Sequence, residues 1–141
     1  MRILGVDLGE RRIGIAASDL LGVTAQPVGV LEAKSEAEDI ARVRERAEER
    51  RAGKIVVGLP LNMDGSEGPA ARKARRFAAA LEREAGLEVE LWDERLTTVE
   101  AERMLIAADQ RRAKRRQVRD RVAAALILQS YLDAHREGEQ G

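Results

Sequence analysis

The chain has 141 residues, and its 25 lysines and arginines balance its 25 aspartates and glutamates, so the formal net charge is zero. This length favours a single domain over residues 1–141, and a hydrophobic content of 44% is enough for one core. The absence of cysteine excludes disulfides and thiolate catalysis, and the single histidine, His135, argues against a Ser-His-Asp triad or a His-rich metal site.

The first part of the chain predicts three strands and a helix. Apolar runs at Ile3–Val6 and Ile13–Ala17 flank a basic tip at Arg11-Arg12, a pattern typical of a strand, a turn and a returning strand. A third β-rich stretch covers Val23–Leu31. A Ser-x-x-Glu capping box then opens a helix over residues 35–51.

The rest of the chain predicts alternating strands and helices. The unbroken apolar run Lys54–Gly58 is typical of a central parallel strand covered on both faces. The later elements are a loop over 59–69, a helix over Pro69–Ala85 ended by Gly86, a strand over 87–92, a helix from the capping box Thr97–Glu100 to Ala108, and a helix over 120–135. This order predicts an α/β domain with a mixed central sheet flanked by helices, in which the second strand is antiparallel.

Acidic residues stand near the predicted ends of two strands, at Asp7 and Glu94, and Asp120 opens the last predicted helix. Taken singly, Glu94 could be a solvated charge and Asp120 a helix-capping acid, whereas an acid that ends a buried strand, such as Asp7, is costly without a partner. Three converging carboxylates would need a cation, and oxygen ligands favour Mg²⁺ or Mn²⁺. Such a site can hydrolyse phosphodiesters without histidine or cysteine.

A basic segment adjoins the third acid. Residues 111–121 read RRAKRRQVRDR and carry a net charge of +6, so the rest of the chain carries −6. A solvated basic linker is one interpretation, and local binding of a polyanion is the one we favour. The residues expected to contact nucleic-acid phosphates here are Arg111, Arg112, Lys114, Arg115 and Arg116.

The loop after Gly58 is a second candidate for phosphate binding. Asn62 and the segment Asp64-Gly65-Ser66 could present donors to a phosphate, although such a sequence is more often a simple β-to-α turn. The loop matches neither a Walker A motif nor a dinucleotide fingerprint, so hydrolysis of a nucleotide by a P-loop is unsupported.

Four segments then suggest a family. They are Gly5–Gly9 with Gly14–Asp19, Gly58–Ser66, Asp93–Thr98, and Asp120 with Ala123-Ala124 and Ile127-Leu128. In this order, and in a chain of this length, they resemble the motifs of the bacterial YqgF/RuvX family over essentially the whole sequence. One departure is Arg119, which stands where the family pattern is usually apolar.

The resemblance implies an RNase H-like fold and a nuclease acting at the 5′ end of pre-16S rRNA, with an older label of Holliday junction resolvase. It implies that Asp7, Glu94 and Asp120 are the catalytic and metal-binding residues. We expect Asn62 and Arg95 to join the basic segment at the nucleic acid, with Mg²⁺ or Mn²⁺ as cofactor. Pre-rRNA is the expected partner, with the ribosomal particle as a further one.

Alternatives stay open at this point. A junction-resolving enzyme would favour a homodimer over a monomer and would cut DNA, whereas a binding module would hold nucleic acid or a ribosomal partner without cutting. A sugar-kinase-type phosphate site on Asp7-Leu8-Gly9 is disfavoured, because the chain is too short for a second domain. No apolar stretch approaches the length of a membrane span, and we expect a cytoplasmic protein.

Overall fold

The computed structural model describes residues 1–97 and 122–135. Its elements in chain order are β1 (Ile3–Leu8), β2 (Arg12–Ser18), β3 (Ala25–Glu32), α1 (Glu36–Glu49), β4 (Lys54–Leu59), α2 (Pro69–Ala85), β5 (Glu88–Asp93), a 3-10 turn (Glu94–Thr97) and the helical residues 122–135, here called α3. The helix predicted from Thr97–Glu100 onward and the start of the last helix lie outside the described residues. None of the described helices is long and apolar enough to cross a membrane.

The strands form one five-stranded sheet in the order β3-β2-β1-β4-β5. β2 is antiparallel to both β1 and β3, whereas β1 pairs in parallel with β4 and β4 with β5. The predicted mixed sheet with an antiparallel second strand is therefore confirmed. Because β1, β4 and β5 are neighbours that run in parallel, their carboxyl ends meet at one edge of the sheet.

The helix boundaries follow the local signals in the sequence. Ser35 caps α1 by accepting a hydrogen bond from the backbone N–H of Glu38 at 3.2 Å, which confirms the predicted capping box as the start of that helix. Pro69 occupies the first turn of α2, and Gly86 ends this helix in the left-handed conformation with φ of 67°.

The sheet separates two apolar clusters. One lies under α1 and α2 and includes the fully buried side chains Leu4, Val6, Ile13, Ile15, Val43, Ile55, Val57, Phe77 and Leu81. The other lies under α3 and includes Ile3, Ala16, Val56, Ala124, Ile127, Leu128, Tyr131 and Leu132. Helices thus cover both faces of the central strands, as the apolar run in β4 predicts.

Two glycines allow α3 to approach the sheet closely. A Cβ added at Gly5 would lie 2.9 Å from the Cβ of Leu128, and one added at Gly58 would lie 2.8 Å from the Cδ1 of Ile127. The Trp92 indole on β5 donates to the Ser130 hydroxyl at 3.0 Å and so fixes the other side of the helix. The helical periodicity of the sequence predicts Val122, Leu126 and Ile127 on the apolar side. Ile127 is buried, whereas Val122 and Leu126 are half-buried, and the buried face also includes Ala124, Leu128, Tyr131 and Leu132.

Candidate active site

Asp7 and Glu94 meet at the carboxyl edge of the parallel strands. Asp7 is the penultimate residue of β1, Glu94 directly follows β5, and β4 lies between these two strands. Burial of Glu94, a hydrogen bond between the two carboxyl groups and their mutual repulsion raise the pKa of Glu94 to about 8. The interpretation of Glu94 as a solvated charge at a strand end is therefore wrong, because its side chain is half-buried and hydrogen-bonded to a second acid.

Gly58 provides the space in which the two acids meet. A Cβ at this position would lie 2.7 Å from the Oε1 of Glu94, closer than side-chain atoms can approach. With no side chain on β4 at this point, the Glu94 carboxyl lies over the strand and reaches Asp7 on the far side. The sequence predicts Gly58 only as the end of a strand; the available signal for this further role is a glycine that ends an apolar run.

Arg95 holds the segment that carries Glu94. Its guanidinium contacts both carboxylate oxygens of Asp93, with Nη2 at 2.7 Å from Oδ2, and its backbone N–H donates to Oδ1 at 2.9 Å. These hydrogen bonds lower the pKa of Asp93. Arg95 also donates to the carbonyl of Met63 at 3.4 Å, which ties the 3-10 turn to the loop after β4.

The loop after β4 closes on itself. Asp64 Oδ1 accepts hydrogen bonds from the Ser66 hydroxyl at 2.6 Å and from its backbone N–H at 2.9 Å, and both lower the pKa of Asp64. Asn62 donates to the same hydroxyl at 2.9 Å. The segment Asp64-Gly65-Ser66 is thus a β-to-α turn that uses these donors internally, and contact of Asn62 with nucleic acid stays a prediction.

The third predicted acid and the basic segment fall outside this description. Asp120 and residues 111–116 belong to the part of the chain between 98 and 121, which the structure does not describe. Within residues 1–97 and 122–135, no three acidic or histidine side chains are grouped so that they could hold a metal ion. The described part of the site is a carboxylate pair.

The chemistry of this pair fits a hard divalent cation. Both groups offer oxygen donors, which Mg²⁺ and Mn²⁺ prefer. Asp7 opposes ionisation of Glu94 at short range, and a nearby cation reverses such a penalty. The pair can therefore hold a proton when alone and both charges when a cation is present.

The sequence also matches a family model and named bacterial proteins. A family model described as "RuvX: Holliday junction resolvase" matches residues 1–134. A protein of Pelotomaculum thermopropionicum named "Putative pre-16S rRNA nuclease" is 55% identical over 135 residues, which cover 95% of this chain and 88% of that protein. A protein of Myxococcus xanthus with the same name is 53% identical over 136 residues, covering 96% of this chain and 90% of its own.

A solved structure is similar in fold. RuvC of T. thermophilus in complex with a Holliday junction substrate aligns with a TM-score of 0.65 at 17% identity, covering 98% of this chain and 96% of that one. At this identity the likeness concerns the fold alone, and it confirms the RNase H-like class expected from the sequence.

Proposed function

This chain belongs to the RuvX family, and from that membership we propose that it cleaves pre-16S rRNA near its 5′ end during ribosome biogenesis. The chain is a phosphodiester-cleaving hydrolase, in line with its family and its named relatives. The observation that carries the proposal is the Asp7–Glu94 pair. Two carboxylates that approach each other at the carboxyl edge of the sheet are arranged for a cation and a phosphate.

In this proposal the acids of the chain hold divalent ions. Asp7, Glu94 and Asp120 would hold these ions, and Asp120 is included on the sequence alone because it precedes the described helix α3. Bound ions would supply activation of the attacking water and stabilisation of the leaving oxygen in an in-line displacement. Arg95 positions Glu94 by anchoring the turn that carries it to Asp93.

Basic residues hold the nucleic acid beside these acids. In this proposal the phosphate backbone is bound by Arg111, Arg112, Lys114, Arg115 and Arg116. Asn62 and Arg95 contact the nucleic acid at the edge of the site. Because this segment carries a net charge of +6 in a neutral chain, nucleic acid should bind mainly there. The affinity for nucleic acid should fall as the salt concentration rises. The ribosomal particle in the cytoplasm is the proposed setting, and one chain supplies one complete site.

The test is cleavage of two substrates in parallel by the full chain. End-labelled pre-16S leader RNA and a four-way DNA junction are each incubated with Mg²⁺, with Mn²⁺ and with chelator. The proposal predicts metal-dependent cuts near the 5′ end of the 16S sequence in the RNA and an intact junction. Binding of the RNA without any product in either metal would overturn the assignment.

Junction cleavage is the second candidate function, because the matching family is described as a Holliday junction resolvase. Two symmetric cuts in a junction require two active sites, so this function requires a dimer. Cuts in the junction alone, together with a dimer on sizing in the presence of the junction, would replace the rRNA proposal by this one.

A further inference from the structure

A small cleft opens beside Asp7 at the tip of the β1–β2 hairpin. It has a volume of about 130 Å³ and is lined by Asp7, Gly9, Glu10, Arg11, Arg12 and Gly14. Asp7 is paired with Gly14 across the two strands, and Gly9 donates its backbone N–H to the carbonyl of Arg12 at 2.9 Å. Residues that face each other across an antiparallel pair point to the same side of the sheet. Because Gly9 and Gly14 carry no side chains, they leave open space between Asp7 and Arg12.

The backbone holds the two arginines in place from both sides. Besides the Gly9 contact, the carbonyl of Arg11 accepts a hydrogen bond from the backbone N–H of Ala33 at 2.8 Å, and Arg12 pairs with Glu32 at the end of β3. A Cβ at Gly9 would lie 2.7 Å from the Arg12 carbonyl oxygen, so the tight turn requires glycine there. The arginine side chains therefore project from a fixed backbone while remaining exposed to solvent.

We propose that this cleft is a phosphate-binding subsite, in which Arg11 and Arg12 hold a backbone phosphate of the nucleic acid next to the bond that is cut at Asp7. This inference rests on the proposed function and adds to it a second basic contact surface, distant in sequence from the 111–116 segment. Guanidinium groups suit the role because they bind phosphate oxygens in a bidentate geometry.

The size of the cleft and its two arginines agree with this ligand. A volume of about 130 Å³ is large enough for a phosphate group, and contact with a backbone phosphate is independent of base sequence. The lining carries two carboxylates, Asp7 and Glu10, and the two guanidinium groups, so Arg11 and Arg12 supply all of its positive charge. The cleft shares Asp7 with the carboxylate pair, so a phosphate held there lies next to the acids.

The test measures binding apart from cleavage. Fluorescence anisotropy with labelled leader RNA is recorded in chelator over a series of salt concentrations, for the wild type and for the double variant Arg11→Gln/Arg12→Gln. The matched control is Arg50→Gln/Arg51→Gln, which removes the same charge from another adjacent and exposed pair. This control pair lies at the opposite end of β1, where the Arg50 carbonyl accepts a hydrogen bond from Arg2.

We expect the hairpin variant to bind more weakly and the control to bind like the wild type. A plot of log affinity against log salt becomes less steep by about 0.7 for each phosphate contact that is lost on single-stranded RNA. Loss of both arginines should therefore reduce its steepness by about 1.4. A slope equal to that of the control would overturn the inference. If the double variant fails to fold, Arg11→Gln alone serves, since it leaves Arg12 at the start of β2 unchanged, and it should reduce the steepness of the salt dependence by about 0.7.

This readout separates the two proposals. If the wild type cuts neither substrate, the nuclease proposal fails, while the binding measurement in chelator still decides whether the hairpin holds phosphate. If the wild type cuts RNA and the hairpin variant matches the control in both affinity and slope, only the subsite is refuted.

Discussion

Glu94 shows how its surroundings set the chemistry of a residue. A glutamate at a strand end is ordinarily ionised and solvated, but here burial and the facing Asp7 carboxyl raise its pKa to about 8. Near neutral pH the pair therefore keeps a proton on Glu94, which a bound cation would displace. Such perturbed groups in clefts are typical of functional sites.

The raised pKa of Glu94 predicts how stability varies with pH. Between its ordinary value of 4.5 and about 8, the folded chain holds a proton that the unfolded chain has released, so stability falls as pH rises through this window. In chelator, we expect the thermal midpoint of the wild type to fall from pH 5 to pH 8 relative to that of Glu94→Gln, which keeps the shape but cannot ionise. Calorimetry on both proteins measures the difference, and parallel pH profiles would refute the pKa assignment.

The need of an acid for a partner is easier to predict from the sequence for Asp7 than for Glu94, and the reason is physical. Asp7 closes an apolar run and stands two positions before Gly9, so its need for a partner is predictable from neighbours in the chain. The surroundings of Glu94 depend on Gly58, 36 positions earlier in the chain, and on α3, whose Ile127 packs beside that glycine. Such contacts between distant segments are not visible in local patterns.

At the scale of elements, α3 depends on the sheet beneath it. Leu128 packs on Gly5 and Ile127 on Gly58. Because these positions on β1 and β4 carry no side chain, the helix packs closely against the two strands. Helical periodicity predicts the element and the burial of Ile127, but it also predicts Val122 and Leu126 on the apolar side, and these two are only half-buried. The choice of face follows from where the glycines lie, and this requires knowledge of the register.

Gly58→Ala tests the coupling between this packing and the site. The added methyl group would meet both Ile127 and Glu94, and we expect a loss of about 1–3 kcal/mol of stability, as for other overpacked cores. Displacement of Glu94 by about 1 Å should lower the cleavage rate by about a hundredfold. Chemical denaturation and single-turnover cleavage measure the two effects.

Gly29→Ala is the matched control for this variant. Gly29 lies on the edge strand β3, and a Cβ there would have no atom within 4 Å. Unchanged stability and cleavage in Gly58→Ala, equal to those of Gly29→Ala, would contradict the account of how Glu94 is positioned.

At the scale of the whole molecule, the topology gathers the functional groups at one edge of the sheet. β1, β4 and β5 end there with Asp7, Gly58 and Glu94, and the β1–β2 hairpin adds Arg11 and Arg12. The alternation of elements in the sequence predicted this mixed sheet and the convergence at its carboxyl edge. The contribution of the hairpin tip was not predicted, because a basic turn in a sequence does not reveal the cleft beside it.

The most direct test of the account is the single-turnover cleavage rate of pre-16S leader RNA in Mn²⁺ by Asp7→Asn. The control is Glu45→Gln, the equivalent loss of charge at an exposed acid on α1. Loss of several kcal/mol of transition-state stabilisation predicts a rate about a thousandfold lower for Asp7→Asn, with folding and RNA binding in chelator preserved. The rate of Glu45→Gln should lie within about threefold of the wild type. Cleavage by Asp7→Asn at the wild-type rate would contradict the central role of the carboxylate pair.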